Sequence, residues 1–363
     1  MVFGFRHGLH HGGAVSGVRS RYADIVSPSP IMRNRPLAAL GLLATIALLP
    51  ACNATATYTH PPGMANTPGF LDVATPPTAT VRDERAEPLP VTASRPCGYR
   101  VPEPRYNHVI WVLMENESLS SIIGMPGSPY ATQLARRCGL ATGYSAITHP
   151  SLPNYLALTG GTTFGVTDDG EPSTHPIAGA SIFSELGARH LTWRSYAESM
   201  PTACDTVTSG LYAARHNPAV YYTAIRSTCA HADVPMGPLK TGALHRALYG
   251  TLASFVFVTP NVCDDAHSCP VRQGDQWLSE FFSVVFASPT YRLGHTAVFV
   301  VWDEGNLDNV VPAIVVAPSV PDGRGSAAAF NHYSLLRTTE QLLGLPPIAN
   351  AAKATSMVTA FGL

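Results

Sequence analysis

Apolar residues form four short and nearly uninterrupted runs along the chain, at 108–114, 254–258, 296–302 and 313–317. The runs are rich in β-branched and aromatic side chains, which is typical of strands that are buried on both faces. We therefore predict that they are strands of a central β-sheet.

Between these runs, apolar residues recur at helical spacing over 130–138, 276–286 and 334–343. Ser128 and Pro129 supply an N-cap and a first-turn proline for the first helix, and Gly344 a C-cap for the last. Strands alternating with helices predict an α/β fold, a mostly parallel central sheet sandwiched by helices. Such sheets bind ligands beyond the carboxyl ends of their strands.

The N-terminal part of the chain has the pattern of an export signal. Two arginines precede an apolar run at 37–49 that is shorter than the roughly 20 residues of a membrane-spanning helix. Residues 32–52 are therefore interpreted as a signal peptide, and the ending at Cys52 resembles a lipobox whose cysteine becomes a lipid anchor. An ordinary signal peptide cut near the same place is the alternative. Residues 1–31 fit no such pattern and are interpreted as an over-extended start.

Residues 53–96 are rich in Pro, Thr and Ala, lack periodicity and are predicted to be a disordered tether. Residues 97–363 show no repeat and no further shift in composition, which predicts one folded domain.

Cysteine usage also indicates export. If Cys52 carries lipid, six cysteines remain, and an even number in an exported chain favours three disulfides. Six cysteines allow 15 pairings. The pairing that we prefer is Cys204–Cys229, Cys263–Cys269 and Cys97–Cys138.

Charged residues make up only 13% of the chain, and the formal net charge is −1. No basic field or Lys/Arg run exists that would attract nucleic acid, so we expect no nucleic-acid partner.

Polar pairs follow two of the predicted strands directly. Glu115 and Asn116 follow the first, and Asp303 and Glu304 follow the third. Acidic residues often cap the exposed end of a strand. Buried carboxylates are expensive unless they are compensated, however, and oxygen ligands suit one divalent cation such as Mg²⁺, Ca²⁺, Mn²⁺ or Zn²⁺.

Ser151 precedes Leu152-Pro153, which places it at or just outside the N-terminus of a helix. There, unpaired backbone N–H groups and the helix dipole favour a phosphate. A serine at this place is either a simple helix cap or a nucleophile, and a nucleophilic hydroxyl needs activation, for example by a metal ion.

Several longer stretches resemble one known family, the bacterial phosphoesterases that include secreted acid phosphatases and phospholipases C, in the alkaline-phosphatase superfamily. They occur in order from about residue 106 to the end: HVIWVLMENESLSSIIG, PYATQLA, HPSLPNYLALTGG, WRSYAESMP, RHNP, YYTAIRSTC, TPNVCDDAHSCPV, VVWDEG and FNHYSLLRTTEQLLGL. The most similar members are secreted acid phosphatases, among them one that acts on phosphatidylinositol 3-phosphate.

The resemblance implies an alkaline-phosphatase-like fold with Ser151 as the nucleophile. It implies that a metal ion is held by Glu115, Asn116, Asp303 and Glu304. Relatives with phospholipase activity often have aspartate at the last of these positions, so the glutamate is a departure. The Asp-His-Gly motif of two-zinc relatives is missing from the sequence, which favours one metal ion.

Three histidines lie within the matched stretches and are candidate catalytic residues. His332 lies where relatives place a late active-site histidine. His216 and His267 are candidates for binding phosphate oxygens or protonating the leaving group. The alternative for each is a structural histidine in a loop.

The predicted function is a metal-dependent phosphomonoester hydrolase of the acid phosphatase type, with a phosphoserine intermediate and a substrate class that includes phosphoinositides. The alternatives are a phospholipase C-type phosphodiesterase and a surface-binding lipoprotein without catalysis. An arylsulfatase is disfavoured, since Tyr155 stands where those enzymes require arginine. We expect an exported protein, membrane-attached through Cys52 or secreted. The sequence leaves its oligomeric state open.

Overall fold

The structure is a computed structural model that describes residues 87–102 and 104–363. The predicted start extension, signal peptide, lipid anchor at Cys52 and most of the predicted tether lie outside these residues. Contacts of the domain begin before Cys97, because the N–H of Leu89 donates to the carbonyl of Arg292 at 2.6 Å.

Ten strands occur in the described part of the chain, and several are only two or three residues long. They are β1 His108–Met114, β2 Gly139–Ala141, β3 Tyr144–Ser145, β4 Trp193–Ala197, β5 Asp233–Pro235, β6 Phe255–Thr259, β7 Thr296–Trp302, β8 Ala313–Val316, β9 Arg324–Ser326 and β10 Phe330–Asn331.

Ten α-helices accompany the strands in the same residues. They are α1 Leu119–Ile122, α2 Pro129–Arg137, α3 Ser151–Gly160, α4 Ile182–Ala188, α5 Arg226–Ala232, α6 Ala243–Leu248, α7 Val271–Ala287, α8 Pro289–Arg292, α9 His332–Leu342 and α10 Val358–Phe361. Short 3₁₀ turns occur at Ala214–His216, Pro218–Tyr221, Thr223–Ile225 and Ala349–Lys353.

Eight of the strands form one sheet in the order β5-β4-β6-β1-β7-β8-β2-β9. Strand β1 lies near the middle and pairs in parallel with β6 and β7, whereas β8 is antiparallel to both of its neighbours. Every residue of β6, β7 and β8 is buried, as expected for central strands covered on both faces. The predicted fold, a mostly parallel central sheet with helices, is confirmed. Because these three strands are parallel, the residues that follow β1, β6 and β7 all lie at the same end of the sheet, beyond the carboxyl ends of the strands.

Helix α2 begins at Pro129 as predicted, but its cap differs from the prediction. The hydroxyl of Ser128 donates to the carbonyl of Ile122 and does not cap the helix. The carboxylate of Asp275, on α7, accepts the free N–H groups of Tyr130 and Ala131 instead, at 2.9 and 2.8 Å. The prediction of a serine cap was wrong because a distant acid satisfies the same donors.

The three disulfides join Cys97 to Cys138, Cys204 to Cys229 and Cys263 to Cys269. The preferred pairing is therefore confirmed. The bridge between Cys263 and Cys269 closes a short loop between β6 and α7, at the end of the sheet where β1 and β7 also finish.

Among the described residues, no helix combines the length and the apolar character that a bilayer crossing requires.

Candidate active site

The helix that carries Ser151 is buried along its entire length. Helix α3 begins at Ser151, directly after Pro150, and all ten of its residues are buried. Gly161 ends it in the left-handed conformation, with φ 69°, and its N–H donates to the carbonyl of Ala157. The fixed helix places the Ser151 hydroxyl at a defined point beside the carboxyl end of β1.

Glu115, the first residue after β1, accepts hydrogen bonds from two hydroxyls of α3. The Oγ of Ser151 donates to its Oε2 at 3.1 Å, and the phenol of Tyr155 donates to its Oε1. Glu115 and Tyr155 are fully buried, and Ser151 is 2% exposed. The predicted nucleophile and the first predicted metal ligand therefore lie in direct contact.

Asp303 and Glu304 follow β7, the parallel neighbour of β1, and lie in the same region. The backbone N–H of Asn116 donates to Oδ1 of Asp303 at 3.1 Å. The side chain of Asn154, on α3, donates to Oε2 of Glu304 at 3.2 Å. The structure thus brings together the residues of all three predicted segments.

Asn154 also shapes the turn before the nucleophile. Its Oδ1 accepts the N–H groups of Ile147 and Thr148, both at 3.1 Å, and its Nδ2 donates to the carbonyl of Thr148. This fully buried amide holds the 147–150 segment against α3, and on the same segment Nδ1 of His149 lies 3.2 Å from Glu304.

The buried acids of this region have strongly shifted pKa values. Burial, together with the charges of Asp303 and Asp265, raises the pKa of Glu115 well above its ordinary value. Burial and then the charge of Glu304 raise the pKa of Asp303 to about 8. Burial also raises the pKa of Asp265 to about 7. Buried carboxylates that lie this close together repel one another strongly when they are ionised.

His216 joins two of these acids. Its Nε2 lies 3.4 Å from Glu115 and its Nδ1 lies 3.3 Å from Asp265. Burial and then the charge of Arg215 lower the pKa of His216 to about 3. His267 lies beside it, with ring centroids 5.5 Å apart, and its Nε2 lies 3.1 Å from the Arg215 guanidinium.

His332 lies at the site in a different way from the other two histidines. It is fully buried at the start of α9, with Nδ1 3.0 Å from the hydroxyl of Tyr144 and Nε2 2.7 Å from the backbone carbonyl of Asp303. Both ring nitrogens therefore have partners, and the contact of Nε2 holds the turn after β7. Its place suits a positioning residue behind Asp303.

Asp265 and Arg215 also lie at the site and, like Asn154 and Tyr155, were not among the predicted site residues. Asp265 is fully buried on the loop after β6, and its backbone carbonyl accepts the N–H of Glu115 at 3.0 Å. Arg215 precedes His216 on a 3₁₀ turn and is half-buried. The signal for Asp265 in the sequence was its place between two cysteines after an apolar run. No pattern distinguished Arg215 from other arginines.

A divalent cation fits this set of groups. Oδ2 of Asp303, Oδ2 of Asp265 and both ring nitrogens of His216 are buried without a hydrogen-bond partner among the described residues. Such groups are costly unless a cation compensates them. Ligand atoms of Glu115, His216 and His267 also lie within 4.8 Å of one another, so these two histidines are candidate ligands beside the predicted oxygen ligands.

Comparison with known proteins assigns the chain to a family. Residues 126–346 match the model of the phosphoesterase family. A phosphatidylinositol-3-phosphatase of Mycobacterium tuberculosis is 32% identical over 265 residues, which are 71% of this chain and 84% of that protein. A phosphate-repressible acid phosphatase of Penicillium chrysogenum is 28% identical over 60% of this chain, which spans only 55% of the fungal protein.

The solved structures give the same fold. A protein of the alkaline phosphatase superfamily from Vibrio parahaemolyticus superposes with a TM-score of 0.50, covers 72% of either chain and is 13% identical. That similarity concerns the fold alone. The family model and the mycobacterial relative go further: this chain belongs to the phosphoesterase family.

Proposed function

We propose that this chain is a metal-dependent phosphomonoester hydrolase that uses Ser151 as its nucleophile. Its enzyme class, phosphoric ester hydrolase, follows from the family and from relatives that are phosphatases. The nucleophile, the metal and the kind of ester are the proposed parts.

One observation carries the choice of nucleophile. The hydroxyl of Ser151 lies at the N-terminus of a buried helix and donates to the Glu115 carboxylate at 3.1 Å. The hydroxyl thus has a proton acceptor, and it lies at a helix N-terminus, where the helix dipole favours an anion. These are the two requirements of a serine that attacks a phosphate ester.

The reaction occurs in two displacement steps at phosphorus. Oγ of Ser151 loses its proton to an acceptor such as Glu115, and a bond from Oγ to phosphorus forms as the bond to the alcohol oxygen breaks. His267 is the proposed donor of the proton with which the alcohol leaves. Water then breaks the bond between Oγ and phosphorus, which releases inorganic phosphate and restores the serine hydroxyl.

The proposed metal would be held by Glu115, Asn116, Asp303 and Glu304, with His216 and His267 as further candidate ligands. When bound, such a cation lowers the pKa of a coordinated hydroxyl and stabilises charge on phosphate oxygens. The protein itself supplies the fixed positions. Tyr155 holds Glu115 through a hydrogen bond, and His332 holds the turn at Asp303.

A phosphate monoester is the proposed substrate. The similar relatives are a phosphatidylinositol-3-phosphatase and acid phosphatases, so the candidate substrates include phosphoinositides. The alternative function is that of a phospholipase C-type phosphodiesterase, whose substrates are phosphodiesters.

The proposed location is outside the cytoplasm. Three disulfides in the described residues support export, since such bonds persist in oxidising compartments. Attachment to a membrane through a lipid on Cys52 belongs to the same proposal and rests on the sequence pattern at 32–52.

A panel of esters tests the proposed reaction. We expect turnover of p-nitrophenyl phosphate and of phosphatidylinositol 3-phosphate, and little turnover of bis(p-nitrophenyl) phosphate or phosphatidylcholine. The reverse order would show a diesterase. Absence of turnover with all four, in protein supplied with divalent cation, would reject the enzyme.

A further inference from the structure

A carboxylate that the proposed mechanism does not use lies at the start of the nucleophile helix. Oδ1 of Asp169 accepts the backbone N–H of Leu152 at 2.9 Å. Oδ2 of Asp169 lies 3.7 Å from Nε of Arg215. Asp169 is thus held by an amide adjacent to Ser151 and by an arginine of the site.

These two donors are the kind that bind phosphate. A free N–H at the beginning of a helix attracts an anion, and a guanidinium binds the oxygens of phosphate as readily as those of carboxylate. Nε of Arg215 is buried and has no hydrogen-bond partner in the part of the chain that the structure describes, which leaves it available to an oxygen closer than that of Asp169.

The position of Asp169 is electrostatically unfavourable for the neighbouring acids. The negative charge of Asp169 interacts unfavourably with that of Glu304. The side chain is 36% exposed and lies between α3 and α4, where the chain has no regular helix or strand. Two donors therefore attract the Asp169 carboxylate, whereas Glu304 repels it.

We propose that the Asp169 carboxylate takes the place of a phosphate oxygen and competes with phosphate for Leu152 N–H and Arg215. Asp169 then sets how tightly substrate and product are held, and it leaves the two donors when phosphate enters. This inference deepens the proposed function, because it rests on a phosphate site at Ser151.

A purely structural role is the rival explanation. Pro150 precedes the helix and has no side-chain oxygen, so Asp169 also satisfies an N–H that would otherwise lack a partner. Asparagine keeps that acceptor and removes only the charge. Asp169→Asn therefore separates competition for the anion position from capping of the helix.

The adjacent Asp168 provides a matched control. Its Oδ1 accepts the N–H of Gly170 and lies 2.6 Å from Nε2 of His175. Asp168→Asn removes the same charge one residue away, on a side chain whose partners are not the two donors.

The test is calorimetric titration of inorganic phosphate into the purified full chain supplied with divalent cation. We expect Asp169→Asn to bind phosphate about 5- to 10-fold more tightly than the unaltered protein, and Asp168→Asn to differ by less than about 2-fold. Asp169→Ala, as a second variant, should also bind more tightly. Circular dichroism verifies that each variant is folded.

Unchanged or weaker phosphate binding by both Asp169 variants would overturn the inference, and so would absence of phosphate binding by every protein. Turnover of p-nitrophenyl phosphate reports on the proposed function separately. Turnover without tighter phosphate binding in the variants rejects the competition and keeps the enzyme. Tighter binding without turnover keeps the competition and rejects the enzyme.

Discussion

The phenol ring of Tyr155 lies flat against the imidazole of His216, with ring centroids 5.4 Å apart and ring planes 6° apart. Both side chains also contact Glu115, one through its hydroxyl and the other through Nε2. The hydroxyl of Tyr155 therefore orients the carboxylate while His216 lies close to it, and a change in either ring acts on the proposed metal site through Glu115.

Tyr155→Phe should lower kcat by about 10- to 100-fold, because the ring stack remains but Glu115 loses a hydrogen bond that orients it. The measurement is steady-state kinetics with p-nitrophenyl phosphate. KM should change much less than kcat, since Tyr155 does not contact substrate in the proposed mechanism.

Tyr222→Phe is the matched control for this variant. Tyr222 is also fully buried, and its hydroxyl lies 2.8 Å from the hydroxyl of Thr159, on the same helix α3. Either variant should cost about 1 kcal/mol of stability. Equal losses of kcat in the two variants would assign the effect of Tyr155 to packing of the helix.

Ser151→Ala should reduce turnover by at least about 1,000-fold, because the nucleophile is removed. The variant should still fold, with a thermal unfolding midpoint close to that of the unaltered protein. Acid quenching of the unaltered enzyme with labelled substrate should trap phosphate on Ser151. A variant with near-normal turnover would exclude this serine.

Removal of divalent cation should abolish activity and also lower the thermal unfolding midpoint. The physical reason is that a bound ion compensates the buried acids around Glu115, and a ligand that binds only the folded state stabilises it. The measurement is thermal unfolding after dialysis against a chelator, followed by return of Mg²⁺, Ca²⁺, Mn²⁺ or Zn²⁺.

Asp303→Asn should weaken this cation-dependent stabilisation, whereas Glu280→Gln should leave it unchanged, since Glu280 is an exposed acid on α7. Activity and stability that are both indifferent to chelator and to added cation would remove the metal from the proposal.

A buried acid away from the site predicts a pH dependence of stability. Asp233 is fully buried; its Oδ2 accepts the side chain of Asn217 at 2.8 Å, and its Oδ1 has no partner among the described residues. Burial raises its pKa from 3.8 to about 7, although hydrogen bonds from Asn217 and Ser195 lower it in part. The folded protein thus binds this proton more tightly than the unfolded chain.

The stability that this proton contributes is fully present below about pH 4 and is lost as the pH rises to about 7. Asp233→Asn should make the free energy of unfolding less dependent on pH, by about 2 kcal/mol between pH 5 and pH 8. Urea unfolding at the two pH values measures this, with exposed Asp322→Asn as control. The same pH dependence in all three proteins would contradict the assignment.

The central strands were predictable because burial on both faces requires a continuous run of apolar residues. β1 and β7 have the predicted bounds, since both are continuous apolar runs. β4, with the sequence WRSYA, mixes polar and apolar residues and was missed. The antiparallel direction of β8 was not predictable either, because pairing direction depends on the path of the chain between strands.

The positions of the proposed site residues were predictable where the residues follow strands directly, as Glu115 and Asp303 do. Asp265 and Arg215 lie on loops whose path depends on tertiary contacts, so their sequence neighbours carry little information about their positions. The same holds for Asp275, which caps a helix 145 residues earlier in the chain.

The disulfide between Cys263 and Cys269 encloses the segment that carries Asp265 and His267. The ends of this segment are consequently joined by a covalent bond only after both thiols have been oxidised. Because the backbone carbonyl of Asp265 accepts the N–H of Glu115, that bond closes a loop directly beside the proposed metal site. Oxidation of the two cysteines is then a chemical step that contributes to building the proposed site.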